Sequence, residues 1–326
     1  MGLAPYGGPS YVNKLKKLLI LHKNGKFELN LKYFKFKKEN INYRWDDGEV
    51  YLEDLYSNEL IKLLGPERYK SDEINQSHKD LAHSIQILYE EAFFNILCNL
   101  YKKYENENIC ISGGCGMNSV ANGKIKSSTP FKNVFIQPAA GDSGGALGSS
   151  YYLWHKILRK KTRFKMKHSY YGNSFKNDYI DRVLKINEQK LNLENCKIKY
   201  FESFENLTDK IANDISQGKV IGWFQDKMEW GPRALGNRSI LADPRRSNMK
   251  EILNHKIKKR ESFRPFAPSI MRENVSEWFE VDDEVPFMMK VYQIKKDKRS
   301  IIPAVTHVDG SGRLQTVYRE TNLKYY

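Results

Sequence analysis

The residues with the clearest chemical potential are cations held between glycines and prolines. Residues 223–239 join two predicted strands and carry Arg233 and Arg238 together with two glycines and a proline. A backbone stiffened by Gly and Pro can hold the planar guanidinium donors that bind phosphate or carboxylate groups. Surface ion pairs are the alternative for any single arginine. Further cations follow in segments framed by proline or glycine, so we expect an anion pocket; they are Lys258, Lys259, Arg260, Arg264 and Arg313.

Two glycine-rich segments precede these cations. Gly113 and Gly114 lie between a predicted strand and a helix start, where backbone amides can point at an anion. Asp142 stands among small residues after the next strand, which suits a metal ligand or a residue beside a phosphate. A tight turn at the glycines and a helix cap at Asp142 are the alternatives. Because clefts in open α/β sheets lie beyond the strand C-termini, the two segments together predict a nucleotide or metal cleft.

The excess of positive charge is confined to two stretches of the chain. Of the net charge of +15, residues 1–44 contribute ten Lys/Arg and two Asp/Glu, and residues 155–169 contribute seven Lys/Arg and no acid. The remainder is neutral in sum, and the predicted anion pocket lies there. Since lysine runs are usually solvated faces, we favour a solvated surface over a nucleic-acid patch.

Composition excludes other classes of protein. Hydrophobic residues make up 40% of the 326, enough for one or two folded cores. No apolar run approaches the ~20 residues of a membrane span, and no secretory signal is visible, so we expect a cytoplasmic protein. The cysteines form no Cys-x-x-Cys pair, which argues against a structural zinc site and favours free thiols, with Cys98 in the core; they are Cys98, Cys110, Cys115 and Cys196.

The hydrophobic pattern predicts an α/β fold. Helical spacing from Leu81 to Leu100 predicts a long helix, and weak alternation predicts an edge strand within 26–36. The other expected elements are a buried strand at 108–112, further strands at 134–136, 197–201, 220–224, 239–242 and 266–271, and a helix at 206–216.

Six motifs in this order resemble the O-carbamoyltransferases of the nodulation protein U / cephamycin carbamoyltransferase family. EWGPRALGNRS and FRPFAP are the most specific, whereas SGGCGMN alone is not. The motifs are Met1–Gly7 (MGLAPYG), Ser112–Asn118 (SGGCGMN), Gln137–Gly148 (QPAAGDSGGALG), Glu229–Arg245 (EWGPRALGNRSILADPR), Lys258–Pro268 (KKRESFRPFAP) and His307–Val317 (HVDGSGRLQTV).

The resemblance implies two active domains and their cofactors. Residues 1–160 would be the C-terminal part of a carbamoyl-transfer domain of the actin/sugar-kinase ATPase class, similar to the tRNA threonylcarbamoyl-transfer domain. It would use iron or another divalent metal. After a basic, Asn-rich connector at 161–196, residues 197–326 would be an incomplete YrdC-like twisted α/β domain. That domain would make carbamoyladenylate from carbamoyl phosphate and ATP with Mg²⁺, for transfer to a hydroxyl of a small molecule.

Residue roles carry over from the motifs by the same resemblance. Asp142 would be a metal ligand, and Gly113, Gly114 and Asn118 would line the adenylate site. Catalysis on carbamoyl phosphate would fall to Arg233, Lys258 and Arg313, with Arg260 and Arg264 near the nucleotide phosphates.

The chain also departs from the family pattern. It lacks the His-x-x-x-His metal pair, since His78 and His83 are five apart and do not share a helix face. It also lacks the Ser-x-Asn segment expected after HVDGSGRLQTV, so we expect a fragment cut at both ends. An RNA-modifying enzyme of the threonylcarbamoyladenosine type and a non-catalytic nucleotide-binding remnant are the alternatives. The sequence does not determine the acceptor, the metal or the oligomeric state. A homodimer is one of the alternatives for the oligomeric state.

Overall fold

The computed structural model describes residues 1–35, 43–69 and 71–326. The fold is mixed α/β, as predicted, and divides into two compact units. The first unit comprises residues 1–109 and 124–134, and the second comprises residues 110–123 and 135–326. Among the described helices, none combines the length and the apolar character needed to cross a bilayer.

The secondary structure consists of short elements around one long helix. The described α-helices are α1 (Val12–Leu15), α2 (Asn58–Leu64), α3 (Gln76–Tyr104), α4 (Ser119–Ser128), α5 (Gly144–Tyr152), α6 (Asn177–Ile186), α7 (Glu188–Leu193), α8 (Phe204–Ser216), α9 (Met249–Ile252), α10 (Val275–Trp278) and α11 (Lys296–Arg299). The described strands are β1 (Leu19–Leu21), β2 (Phe27–Leu29), β3 (Tyr43–Asp46), β4 (Glu49–Leu52), β5 (Asn108–Ile111), β6 (Asn133–Ile136), β7 (Ile221–Phe224), β8 (Arg238–Leu241), β9 (Ser269–Met271), β10 (Lys290–Gln293) and β11 (Ser311–Val317).

The first unit is organised by α3, which confirms the predicted long helix. Asn75 begins it with a capping box: its side chain accepts from the His78 backbone N–H, and the His78 ring accepts from the Asn75 N–H. Leu88 of α3 packs in a core with Leu15, Leu18 and Tyr33. The predicted apolar face is only partly covered, since Ile85 is 50% exposed.

The turn-rich opening of the chain is bound to α3. The Gly8 N–H donates to Asp80 Oδ1 at 2.8 Å, and a Cβ on Gly7 would lie 2.1 Å from the carbonyl oxygen of Lys79. The hydrogen bond from Gly8, followed by one from Gln76, lowers the pKa of Asp80. Close backbone contact therefore requires glycine at position 7.

The predicted edge strand within 26–36 is shorter than expected. β2 pairs antiparallel with β1 but ends at Leu29, and Leu31–Tyr33 is a 3₁₀ turn. The Asn30 side chain accepts from Lys32 N and begins that turn, which ends the extended run. Residue 36 lies outside the described residues.

The second unit contains the larger core and a three-stranded sheet. β10 pairs antiparallel with β11, which pairs parallel with β9. Val275, Phe279, Ile294 and Leu314, the last from β11 itself, are almost fully buried in one core cluster. β7 and β8 form a separate antiparallel pair.

Two predictions about the strands fail. Residues 197–201 are not a strand, because within the described part of the chain no neighbouring strand pairs with them. β5 forms as predicted, but Asn108 and Cys110 are exposed, so it is not a buried strand.

Cys98 is half-buried rather than in the core, and all four cysteines are free. The predicted domain boundaries at 160 and 197 stay predictions.

Candidate functional site

A buried carboxylate closes the segment that carries Arg233. The Glu229 side chain is fully buried; its Oε1 accepts from Leu235 N at 2.6 Å and from Asn237 N at 2.9 Å. Its Oε2 accepts from Arg238 Nε at 2.9 Å. These bonds fold residues 229–238, here called the arginine loop, into a closed turn with Arg233 between its anchored ends.

The arginine loop also touches the QPAAGD segment at its backbone. Gly231 has a φ of +104°, and a Cβ there would lie 2.9 Å from the carbonyl oxygen of Pro138. Glycine is required at this position by both the left-handed backbone and the close approach. A third segment joins them, because Gly113 N donates to Ala140 O at 2.6 Å. The structure thus brings the SGGCGMN and QPAAGD loops together.

The residues predicted to line an adenylate site lie at the surface of these loops. Gly113 and Gly114 are exposed, and no atom of the described residues would contact a Cβ on either one. Asn118 is half-buried, and its Oδ1 accepts from Ala121 N at 3.2 Å at the start of α4. Asn118 therefore has a local capping role, and nucleotide contact by the three residues stays a prediction.

The carboxylate of Asp142 is exposed and does not cap a helix. The N-cap of α5 is Ser143, which makes no side-chain cap bond, and Asp142 contributes only its carbonyl oxygen, which accepts from Gly145 N. Across residues 1–35, 43–69 and 71–326, no three His, Cys, Asp or Glu side chains cluster as a metal site. One carboxylate does not fit an iron ion by itself, so we derive no step through that metal.

Four predicted cations line one cavity of about 930 Å³ in the second unit. They come from three separate segments: Arg233 from the arginine loop, Lys258 and Arg260 after α9, and Arg313 from β11. β11 contributes alternate residues, since Arg313, Gln315 and Val317 all face the cavity, as successive odd positions of a strand must.

Two guanidinium groups of this cavity, those of Arg233 and Arg313, are desolvated by burial. The Nε atoms of Arg233 and Arg313 are buried and have no hydrogen-bond partner among the described residues. Burial lowers the pKa of Arg233. Burial, followed by the repulsion of Arg233 and Arg260, lowers the pKa of Arg313 to about 9. Repelling cations on one cavity, two of which have an unpartnered Nε among the described residues, are complementary to a multiply charged anion.

Arg260 is the best-anchored member of the group. Its Nε donates to Asn254 Oδ1 at 2.8 Å, and its guanidinium lies 4.7 Å from the centroid of the Phe266 ring. Burial, followed by the repulsion of Arg264, lowers its pKa. The hydrogen bond and the cation–π contact fix the direction of the charge.

Arg264 is the predicted phosphate ligand that the structure does not bring to the cavity wall. Its side chain is exposed and forms an ion pair with Glu261 at 2.8 Å, three residues earlier. Its carbonyl oxygen does contribute indirectly, since it accepts from the side-chain amide of Asn254, the partner of Arg260. A role for Arg264 at a nucleotide phosphate stays a prediction.

Sequence reasoning missed the uncharged part of the wall. Gln315 lies two residues from Arg313, and its Nε2 donates to Leu235 O at 2.8 Å in the arginine loop. The sequence did contain a signal for Gln315, because residues two apart on a strand face the same side and Arg313 was already predicted to face the pocket. Apolar residues from distant segments complete the wall and carried no such signal; they include Ile240, Phe266, Trp278 and Ile302.

Two family models of known proteins match this chain. The carbamoyltransferase N-terminus family matches residues 1–151, and the carbamoyltransferase C-terminus family matches residues 212–326. The two matches together span most of the chain. The chain belongs to the carbamoyltransferase family. The resemblance drawn from the six motifs is confirmed.

Several known proteins are similar to this chain. An uncharacterized protein of Synechocystis sp. is 38% identical over all of this chain and 54% of its own length. Nodulation protein NolNO of Sinorhizobium fredii is 36% identical over all of this chain and 44% of its own. A 3'-hydroxymethylcephem-O-carbamoyltransferase of Amycolatopsis lactamdurans is 34% identical over 65% of this chain and 37% of its own. The chain spans about half the length of the first two.

Proposed function

We propose that this carbamoyltransferase-family chain takes part in ATP-dependent O-carbamoyl transfer, with its basic cavity binding carbamoyl phosphate and the phosphates of ATP. The observation that supports the proposal is the convergence of Arg233, Lys258, Arg260 and Arg313 on one cavity of about 930 Å³. A volume of that order suits a nucleotide together with a small second substrate. The buried Nε atoms of Arg233 and Arg313 have no hydrogen-bond partner among the described residues, so these guanidinium groups keep unused donor capacity.

The chemistry requires such a site. Forming carbamoyladenylate from carbamoyl phosphate and ATP gathers three phosphates of ATP and one further phosphate in one place. In the balanced sequence, water first cleaves carbamoyl phosphate to carbamate and phosphate. A carbamate oxygen then attacks the α-phosphorus of ATP, and the bond to the β-phosphate breaks to release pyrophosphate. Fixed cations lower the repulsion between the reactants and stabilise the charge that develops on the leaving group.

The second half-reaction transfers the carbamoyl group. An acceptor hydroxyl attacks the carbamoyl carbon, the bond to AMP breaks, and the hydroxyl proton is released to solvent. We propose a small-molecule alcohol as acceptor, supported by the relative whose name specifies a hydroxymethyl group on a cephem. Exposed Gly113 and Gly114 and half-buried Asn118, in the loop hydrogen-bonded to Ala140, are our proposed adenylate contacts.

The finer fold assignment belongs to the same proposal. We propose that the segment matched by the carbamoyltransferase N-terminus is part of an actin-like ATPase domain, and that the C-terminal segment is YrdC-like. Mg²⁺ would enter the cavity bound to substrate phosphates, since Glu277 is the one carboxylate among the described residues of the wall. We also propose a cytoplasmic location.

Carbamoyl-phosphate-dependent exchange of labelled pyrophosphate into ATP tests the proposal. We expect Arg233→Ala and Arg313→Ala to lower the exchange rate by at least about 100-fold, as loss of a charge-stabilising donor does in other enzymes. Arg182→Ala is the matched control, because that arginine is exposed on α6 and stacks over Tyr179. An unchanged rate in Arg233→Ala would remove that residue from the proposed site.

Equilibrium titration with carbamoyl phosphate tests binding independently of turnover. The unaltered chain is expected to bind it, and Arg233→Ala and Arg313→Ala are expected to bind it at least about tenfold more weakly, the effect of losing one charge-assisted hydrogen bond. Absence of binding to the unaltered chain contradicts the proposed role of the cavity.

A further inference from the structure

Residues 169–173 belong to the connector. Their backbones form hydrogen bonds with Trp230 of the arginine loop and with Met228, the residue directly before that loop. Ser169 O accepts from Trp230 N at 2.6 Å, and Met228 O accepts from Gly172 N at 2.9 Å. Asn173 O accepts from Met228 N at 3.1 Å. A Cβ on Gly172 would lie 2.9 Å from Met228 O, so the two backbones are in close contact. The N-terminal end of the arginine loop is therefore held by this segment.

Tyr170 holds the other end of the loop through its hydroxyl. Its O–H donates to Leu235 O at 2.9 Å, two residues after Arg233, and accepts from Asn322 Nδ2 at 2.8 Å. The His168 ring stacks on the Tyr170 ring, with centroids 5.5 Å apart and planes inclined by 13°. Stacking and the two hydrogen bonds leave the phenol one orientation.

The partners of Tyr170 belong to a network of buried amides. Asn322 Nδ2 also donates to Asn237 Oδ1 at 2.9 Å, and Gln225 Nε2 donates to both Asn237 Oδ1 and Asn322 Oδ1. Leu235 O accepts a second bond from Gln315 Nε2. Burial raises the pKa of Tyr170 to about 12, so the hydroxyl keeps the proton that it donates throughout the neutral range.

We propose that Tyr170 is a positioning residue for Arg233, whose hydroxyl fixes the Leu235 carbonyl and thereby the direction in which the Arg233 guanidinium enters the cavity. The inference rests on the proposed function of that cavity. It gives the connector a part in ligand binding, although none of its residues lines the cavity in the described structure. A long, desolvated arginine binds an anion tightly only if its orientation is set before the anion arrives.

The test is a double-mutant cycle on the affinity of the chain for carbamoyl phosphate, measured by calorimetric titration. We expect Tyr170→Phe to weaken binding about 3- to 10-fold, the effect of losing one oriented hydrogen bond. In an Arg233→Ala background the same change is expected to have no effect, because the group that Tyr170 orients is gone. A general structural role would weaken binding equally in both backgrounds and would overturn the inference.

Tyr171→Phe is the matched control, since it removes a neighbouring hydroxyl and its affinity is expected to stay unchanged. Tyr170→Phe is expected to fold, because Leu235 O keeps its bond from Gln315 and Asn322 keeps its bond to Asn237. His168→Leu is a second variant, which removes the stacked ring together with the ring nitrogen that accepts from Tyr170 N, and leaves both hydroxyl bonds; we expect a weakening of about twofold that is likewise lost with Arg233→Ala.

The outcomes separate the two proposals. If the unaltered chain binds carbamoyl phosphate and Arg233→Ala weakens it, but Tyr170→Phe does not, the inference fails and the proposed function stands. If the unaltered chain does not bind carbamoyl phosphate, the proposed function fails and the inference falls with it.

Discussion

Asn122 donates from its side-chain amide to the carbonyl oxygen of Met289, 167 residues further along the chain, at 3.1 Å. The same Nδ2 donates to Gly116 O in the SGGCGMN loop at 2.8 Å. Met289 directly precedes β10, and Val291 of β10 pairs with Arg313 of β11. One buried amide therefore connects the loop proposed to contact adenylate with the strand beside the basic cavity.

Replacing Asn122 with Ala is expected to lower the free energy of unfolding by about 1–3 kcal/mol, because two carbonyl oxygens lose a shared donor in a buried site. Urea unfolding measures this change. Asn192→Ala, at an exposed position of α7, is the control and is expected to stay within about 0.5 kcal/mol. Equal stability of the two variants would show that the bridge contributes nothing.

Gly123 follows Asn122 in α4 and lies against β10. Helix propensity alone would make alanine stabilising at this position, and we predict the opposite. A Cβ there would lie 2.0 Å from Val291 O, whereas no described residue places an atom within 4 Å of a Cβ on Gly148 in α5. We expect Gly123→Ala to destabilise the protein by about 1–3 kcal/mol through overpacking. Gly148→Ala is expected to stabilise it by about 0.5–1 kcal/mol. Thermal unfolding of both variants checks the signs, and stabilisation by Gly123→Ala would contradict the contact with β10.

The charged part of the cavity could be predicted from the sequence because Gly and Pro frame each of its arginines. Arg233, Lys258, Arg260 and Arg313 are distant in the chain, yet they line one cavity. Arg264 shows the limit of this reasoning, since the ion pair with Glu261 holds it outside the wall. A sequence motif gives the type of a residue but not the partner that competes for it.

The groups that position these cations could not be predicted. Glu229 is a fully buried carboxylate, and carboxylates are rarely buried unless paired. Tyr170 lies in a polar connector whose composition indicates no packing.

Residues 197–201 alternate like a strand, but a strand forms only where another strand pairs with it. Each of these depends on contacts between residues far apart in sequence.

The carboxylate of Asp80 predicts how the opening turn responds to acid. Its pKa is lowered in the folded state, so the stability that it contributes is present above its unfolded pKa and is lost as the pH falls through the folded value. At pH values below about 4, we expect the melting temperature of the unaltered chain to decrease more than the melting temperature of Asp80→Asn does. Asp209→Asn, an exposed position of α8, is the control, and its melting profile should parallel that of the unaltered chain.

Arg313 predicts a conflict between stability and ligand binding. Its Nε is buried and unpartnered within the described structure, and Arg233 and Arg260 repel it, so the cation destabilises the ligand-free chain. We expect Arg313→Met to raise the free energy of unfolding by about 1 kcal/mol or more, because an apolar side chain of similar length can occupy a desolvated site without that penalty. Carbamoyl phosphate at ten times its Kd for the unaltered chain should stabilise that chain by about 1.4 kcal/mol and an Arg313→Met variant that binds at least tenfold more weakly by no more than about 0.4 kcal/mol. Urea unfolding with and without the ligand measures both effects, with Arg182→Met as the exposed control. The expectation is contradicted if Arg313→Met without ligand is no more stable than the unaltered chain. That result would show that the charge of Arg313 is already compensated within the protein, so the cavity would have no uncompensated positive charge to attract an anionic substrate.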